Sequence, residues 1–373
     1  MKLKVLHITN WYPDKINPFK AMWIKKHVEA LNLFCDNDVY HVEIKSGCLK
    51  LWLNHFSKNE KSIRLLIPFK KWFYIEIFTT FLLIYVLIFK VRLKSYDIIN
   101  FHIAYPLCTY LHLLKHFIKQ PIIITEHWSA YHFNFNVQKL SKLKRIKTIF
   151  TNYIPFITVS ESLKNDLNIF SNKKNIIHVI PNVVDINSFN YLNIDKTPNS
   201  LFMISYWKWP KLPLIAIKAI DYLKDSNPNI KLTVGGYGSQ ISEIKEFIKI
   251  RGLENFIHIK GIMTSNEIAL EMNKSLAFIH PSHYETFSVV CAESLCCGTP
   301  VIGSKVGGLI ENINEENGIL FDNNNIQELI SAIRTILNHN IVYNYSNISQ
   351  MNIQKFSKIN VGRNYYHTLL KYV

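Results

Sequence analysis

Cysteine is sparse in this chain of 373 residues. The six thiols, Cys35, Cys48, Cys108, Cys291, Cys296 and Cys297, fall at no metal-type spacing, so neither a zinc site nor an iron–sulfur site is expected. Reduced thiols in a cytoplasmic protein are the simplest reading. The start, MKLKVLHITNWYP, is positively charged, but its apolar part is too short for a secretion signal and ends in a turn. There is no internal repeat and no long low-complexity tract, which excludes solenoids and disordered tails. A full G-x-G-x-x-G is also missing; GGYGSQ (235–240) is a weak dinucleotide signal. A metal-type D-x-D occurs in DND (36–38), which reads as a solvated turn after the first helix. Acidic residues are few, 27 against 43 Lys and Arg.

That shortage is uneven. Residues 1–190 carry 26 Lys and Arg against 12 Asp and Glu, whereas the remainder is nearly balanced at 17 against 15. A basic first half fits an anionic partner such as lipid headgroups or a phosphorylated acceptor; it also fits drift in a chain rich in Lys, Asn and Ile. Nucleic acid is a poor partner, because the basic residues are dispersed and lack clustered basic–aromatic recognition elements. With 48% hydrophobic and 19% charged residues, the chain can bury large cores. Its length suits two domains.

One apolar run stands out. WFYIEIFTTFLLIYVLIF (72–89) has Glu76 as its only charge and is flanked by Lys70, Lys71, Lys90, Arg92 and Lys94. A helix buried in an α/β domain, a helix docked on a membrane surface and a spanning helix all remain open. The basic run KLSKLKRIK (139–147) is either a solvated face or part of a surface for a lipid-linked acceptor.

Along the chain, short apolar runs alternate with helical spacing. KVLHIT (4–9), YDIINFHI (96–103), PIIITEH (121–127), FITVSES (156–162) and IIHVIPNVVD (176–185) read as buried parallel strands, with a helix over 19–31. Residues 186–199 are polar and aperiodic, and read as a linker. A second series follows from LFMIS (201–205) to NGILFD (317–322). The expected fold is α/β, with two Rossmann-like doubly wound domains facing across a cleft: 1–190, 191–355, and a last helix at 356–373 crossing back to the first domain.

The stretch ETFSVVCAE (285–293) places an acid at each end of an apolar segment. A helix over about 288–297, stopped by Gly298 and Pro300, follows the strand LAFIHPS (276–282). Its free N–H groups suit phosphate. Glu285 precedes the helix and Glu293 lies along it, about 80° apart in pure helix, so they suit two contacts on one elongated ligand. Carboxylates accept hydrogen bonds from vicinal hydroxyls, and a nucleotide sugar carries such hydroxyls on both sides of its diphosphate.

HPSHYETFSVVCAESLCCGTPVIGSKVGG (280–308) resembles the E-x7-E signature of the retaining GT-B glycosyltransferases of family 4, the glycosyl transferases group 1. NWYPDKINPFKAMWIKKHVEAL, ITEHWSAY, FITVSESLKNDL, VIPNVVD, LTVGGYG and IKG extend the resemblance over nearly the whole chain. It implies transfer of a hexosyl or N-acetylhexosaminyl unit from a nucleotide-diphosphate sugar, with retained configuration and without metal or other cofactor. Glu285 would bind donor-sugar hydroxyls, Thr286, Phe287 and Ser288 would offer backbone N–H groups, and Glu293 would hold the ribose. Lys211 would meet the diphosphate and His127 would be the active-site histidine. Gly236 and Gly238 would let the nucleotide approach, and Ile262 would face the base. Two positions depart from the pattern: Tyr206 stands where the family usually has Arg, with Lys208 as a substitute, and Lys20-Ala21 stands where it often has Gly. Taken singly, His127 and His102 could each be a core histidine, and Lys211 a surface lysine at a helix start.

The resemblance and the basic first half together imply a lipid-linked or cell-surface glycan acceptor and a cytoplasmic enzyme peripheral to the inner membrane face. A GT-B sugar-nucleotide epimerase and a non-catalytic polyanion-binding protein are the rival readings.

Overall fold

The computed structural model describes residues 2–14, 17, 20–55 and 59–373, which form two units. The first holds residues 1–183 and 358–373, and the second 184–357. The first unit is built on eight strands: β1 Lys4–Thr9, β2 Asp36–Ser46, β3 Lys50–His55, β4 Glu60–Ile67, β5 Ile98–His102, β6 Ile122–Glu126, β7 Phe156–Thr158 and β8 Ile177–Val179. Their order is β3-β4-β2-β1-β5-β6-β7-β8, and only the β3–β4 pair is antiparallel. The second unit has a wholly parallel sheet ordered β11-β10-β9-β12-β13-β14. Its strands are β9 Ser200–Tyr206, β10 Lys231–Tyr237, β11 Ile257–Gly261, β12 Ala277–His280, β13 Val301–Ser304 and β14 Gly318–Phe321.

The continuous apolar runs became the central strands, as burial on both faces requires. The strands over 36–67 were not anticipated. They mix charged and apolar residues, and DND, expected as a solvated turn, opens β2 instead. Asn37 is buried there and its Oδ1 meets His7 Nε2 at 2.9 Å, while Asp38 accepts from the Tyr96 hydroxyl at 2.6 Å. The expected helix over 19–31 is observed from Met22 to Leu31, its first residue lying outside the described residues.

The units divide at 183/184 and 357/358, not at 190/191 and 355/356. The polar segment read as a linker is a strap on the second unit. The Val184 N–H donates to Phe356 O at 3.0 Å and the Thr197 N–H to Lys274 O at 2.7 Å. Asn273 accepts from the Leu192 N–H at 2.9 Å and donates to Asn190 O at 3.0 Å. Amide hydrogen bonds hold this stretch without any apolar periodicity, which is why its sequence resembles a loop.

The helix Trp72–Phe89 packs one side against the first unit, burying Thr79, Leu83, Val86 and Leu87. Its lone acid, Glu76, is buried, bonded by Tyr105 Oη at 2.7 Å and Arg145 Nε at 2.9 Å. Among the described residues no helix is long and apolar enough to cross a membrane.

The last helix, Lys358–Leu370, closes the first unit's core. Val361, Tyr365 and Leu369 pack with Leu3, Val5, Ile98 and Ile123. Gly362 lets it approach the Met22–Leu31 helix, since a Cβ there would overlap the Ala30 carbonyl oxygen. Leu at 362 would raise intrinsic helix propensity by about 1 kcal/mol. The overlap should outweigh that gain, so Gly362→Leu is expected to lower stability by about 1–3 kcal/mol in thermal or urea denaturation.

Candidate active site

In the second sheet the chain runs β9, β10, β11 towards one edge and then restarts at β12 on the other side of β9. The carboxyl ends of β9 and β12 therefore flank the switch point, where ligands of open parallel sheets bind. The loop after β9 is stitched to the loop after β12. Leu212 N–H donates to Pro281 O at 3.1 Å, His283 N–H to Pro210 O at 2.8 Å, and Lys211 bridges to Ser282.

This stitching delivers the Lys211 ammonium onto Glu285 Oε1, a direct ion pair with the carboxylate nearly buried. The same oxygen is reached by His280 Nε2 at 2.6 Å, and Ser288 Oγ lies 3.2 Å from that nitrogen. Because a carboxylate only accepts, His280 carries its proton on Nε2. Burial alone would raise the Glu285 pKa; Lys211 and His280 outweigh it and hold it at about 2. For His280, burial outweighs the pull of Glu285 and lowers its pKa, leaving the ring neutral. His280 ends the apolar run LAFIH, and sequence reasoning missed it because a strand-end histidine has no signature beyond its place five residues before Glu285.

After Glu285 the backbone is wedged against a glycine pair. Gly308 N–H donates to Glu285 O at 2.8 Å, and a Cβ on Gly307 would overlap that same carbonyl. Thr286 is half-buried; Phe287 is buried edge-on against Phe356 with ring centroids 5.5 Å apart. Ser288 adopts φ +62°, and the helix runs Val289–Cys296, starting one residue later than expected. No side chain caps its N-terminus, and Glu293 stands half-buried in its second turn. Gly298, at φ +74°, ends it as anticipated.

The remaining expected residues are more scattered. Tyr206 at the end of β9 and Lys208 just beyond it are exposed, and Tyr206 packs edge-on against Tyr237 at 5.0 Å. Gly236 and Gly238 have a reason within the protein itself. A Cβ on Gly236 would overlap Ser205 O and one on Gly238 would overlap Trp207 O, so both glycines admit the close backbone of 205–207. Trp207 is fully buried and donates to Gly235 O at 3.0 Å. Ile262 is 73% exposed after β11, two strands from β9 and therefore about 10 Å along the sheet. The structure thus joins Lys211, Glu285 and the 286–293 segment directly, with Lys208 and Ile262 peripheral to them.

In the first unit, His127 follows β6 and is buried. Glu126 fixes the turn: its carboxylate accepts the N–H groups of Ala104, His127 and Trp128 and the Tyr131 hydroxyl, all within 2.9–3.0 Å. His127 lies beside His27 at 5.2 Å and His102 at 6.2 Å between ring centroids. His102 meets His7 at 2.9 Å, and His27 meets Pro181 O at 2.9 Å. His102 is thus one member of a buried network. Among the described residues no hydrogen bond of ordinary geometry reaches either ring nitrogen of His127. Burial drives the pKa of His7 and His27 down to about 4, and those of His102 and His127 well below the ordinary value.

Residues 185–354 match the family Glycosyl transferases group 1, and residues 55–188 match Glycosyltransferase Family 4. An uncharacterised glycosyltransferase of Methanocaldococcus jannaschii is 31% identical over 247 residues, covering 66% of this chain and 67% of that one. Sucrose-phosphate synthase from Thermosynechococcus elongatus has a similar structure, with TM-score 0.77 at 18% identity over 99% of each chain. The Anabaena protein HepE, solved in complex with UDP, gives 0.73 at 16% over 100% of each. Fold and comparisons define a GT-B glycosyltransferase. The chain belongs to the glycosyl transferases group 1, family 4.

Two predictions follow from the electrostatics. In the unfolded chain His7, His27 and His41 take up protons near pH 6.5, whereas burial holds each at about 4 in the folded protein. Their contribution to stability is complete above pH 6.5 and declines as pH falls towards 4. Glu285 acts lower, its contribution declining from pH 4.5 towards 2. Melting temperature should therefore drop through pH 6.5–4; a flat profile there would contradict the assignment. Separately, Lys211→Met should cost about 1–3 kcal/mol in urea denaturation, less than a fully enclosed pair because the lysine is partly exposed. The same variant should raise the Glu285 titration in carboxylate infrared spectra.

Proposed function

We propose that the protein transfers a hexosyl or N-acetylhexosaminyl unit from a nucleotide-diphosphate sugar to a hydroxyl of a lipid-linked or cell-surface glycan precursor, with retention and without a metal. The observation that carries this reading is the ionised Glu285, held by Lys211 and His280 at the switch point of the second sheet. An acceptor-only group at that place suits the hydroxyls of a donor sugar. The Thr286–Ser288 backbone and the uncapped start of the Val289–Cys296 helix suit the diphosphate. Lys211 has two further N–H donors for the same phosphates, and Lys208 stands in for the arginine that Tyr206 replaces. Glu293 is assigned to the ribose diol. Gly236, Gly238 and Ile262 are assigned to the nucleotide side, and His127 is assigned as the active-site histidine. That HepE was solved in complex with UDP makes UDP the first nucleotide to try.

In the reaction the bond from the anomeric carbon to the phosphate oxygen breaks and its electron pair stays on the diphosphate. Lys211 and the helix N-terminus stabilise that charge. The acceptor oxygen bonds to the same face of the anomeric carbon and its proton passes to the departing phosphate oxygen. The surplus of Lys and Arg in the first half supports a phosphate-bearing acceptor and a peripheral position on the inner face of the cell membrane.

The reading is tested by thermal shift with UDP, GDP, ADP and CMP. One nucleotide should raise the melting temperature of the wild type and fail to do so for Glu293→Ala. With the matching nucleotide sugar and a lipid-linked acceptor, Glu285→Gln should reduce nucleotide release by about 10²–10³-fold. Absence of release from every common nucleotide sugar with a matched acceptor would sink the reading.

A further inference from the structure

The helix Trp72–Phe89 buries only one side. Phe73, Phe81 and Ile88 are 46%, 64% and 48% exposed and recur at helical spacing, with the half-exposed Ile77 and Ile84 between them. Tyr74 and Phe89 extend the stripe, and Phe69 joins it by packing on Tyr74 with ring centroids 4.7 Å apart. Isolated exposed apolar residues are ordinary; a continuous stripe along 18 residues is not. At 1.5 Å per residue it is about 27 Å long.

The charges around the stripe have one sign. Lys70 and Lys71 are exposed before the helix, and Lys90, Arg92 and Lys94 are exposed at or just beyond its end. The helix's only acid, Glu76, is buried and bonded to Arg145. The Arg145 guanidinium also lies 5.5 Å from the Phe73 ring centre, which sets the basic helix Leu140–Lys147 beside the first turn of the stripe. An apolar stripe with cations at both ends suits a helix lying flat in a bilayer interface, its side chains among the acyl chains and its lysines among the phosphates. A second copy of the chain is a poor occupant, because a two-fold pairing along the stripe brings basic ends against basic ends.

We propose that this face, with Phe73, Phe81, Ile88 and Phe89 as the inserted side chains and the flanking Lys and Arg as headgroup contacts, seats the protein on an anionic lipid bilayer. The proposal deepens the membrane part of the function above, and its test needs no turnover, so the two can fail separately.

The experiment is flotation of the full-length protein with phosphatidylcholine vesicles, with and without phosphatidylglycerol. The wild type should float with the anionic vesicles, less so at high salt, and not with phosphatidylcholine alone. Phe81→Asp/Ile88→Asp should reduce the bound fraction roughly tenfold or more. Lys71→Glu/Lys90→Glu should weaken binding to anionic vesicles specifically. Both double variants should melt within a few degrees of the wild type, since the substituted side chains are exposed. The proposal is overturned if Phe81→Asp/Ile88→Asp floats like the wild type. It is equally overturned if the wild type ignores anionic vesicles and sedimentation shows a dimer that this variant dissociates.

Discussion

A carboxylate removed from water must be compensated, and much of the second unit is arranged around how Glu285 obtains that compensation. Lys211 cannot reach it from a free loop. The loop is stitched by backbone bonds to Pro281 and His283, so an isolated bridge does the positioning that a longer strand pair would do elsewhere. On the other side the Gly307–Gly308 backbone presses against Glu285 and Thr286, leaving no room for a side chain. His280 supplies the third contact from the end of the central strand. The result is a fixed negative charge, already oriented before any ligand arrives, at the place where the sheet topology opens a crevice.

The first unit buries polar groups by the opposite rule. Around His127 burial decides instead: it outweighs the pull of Asp38 on His7 and keeps His7, His27, His102 and His127 neutral. The Glu126 carboxylate beside His127 is occupied by three backbone N–H groups and the Tyr131 hydroxyl. Glu285 in the second unit thus carries a permanent charge, while the buried histidines of the first unit are uncharged rings.

Much of this arrangement was visible in the residues. Continuous apolar runs such as PIIITEH and LAFIHPS announced parallel strands, and ETFSVVCAE pointed to a carboxylate that lies at the switch point of the second sheet. Three features were hidden for physical reasons. The strands over 36–67 carry charged residues at and near the sheet edge, where neither burial on both faces nor strict alternation applies. The strap over 184–199 is held by amide hydrogen bonds, which leave no hydrophobic period. His280 acts through its distance to Glu285, and proximity across a turn is not encoded by residue type. Gly236 and Gly238 were noticed for their freedom towards a nucleotide, while the approach they permit is to the backbone beside Trp207.

The first unit is discontinuous: it stops at residue 183 and resumes at 358. Its core includes Val361, Tyr365 and Leu369, and the Tyr365 hydroxyl bonds Asn100 at 2.6 Å and also Thr125, both on central strands. During synthesis the first strands emerge long before the helix that completes their packing. The second unit, contiguous in sequence, can close on itself while the first still exposes one side of its core. The half made first is thus the last to mature, and a premature stop codon late in the message would injure the amino-terminal half of the protein while sparing the compact unit encoded between.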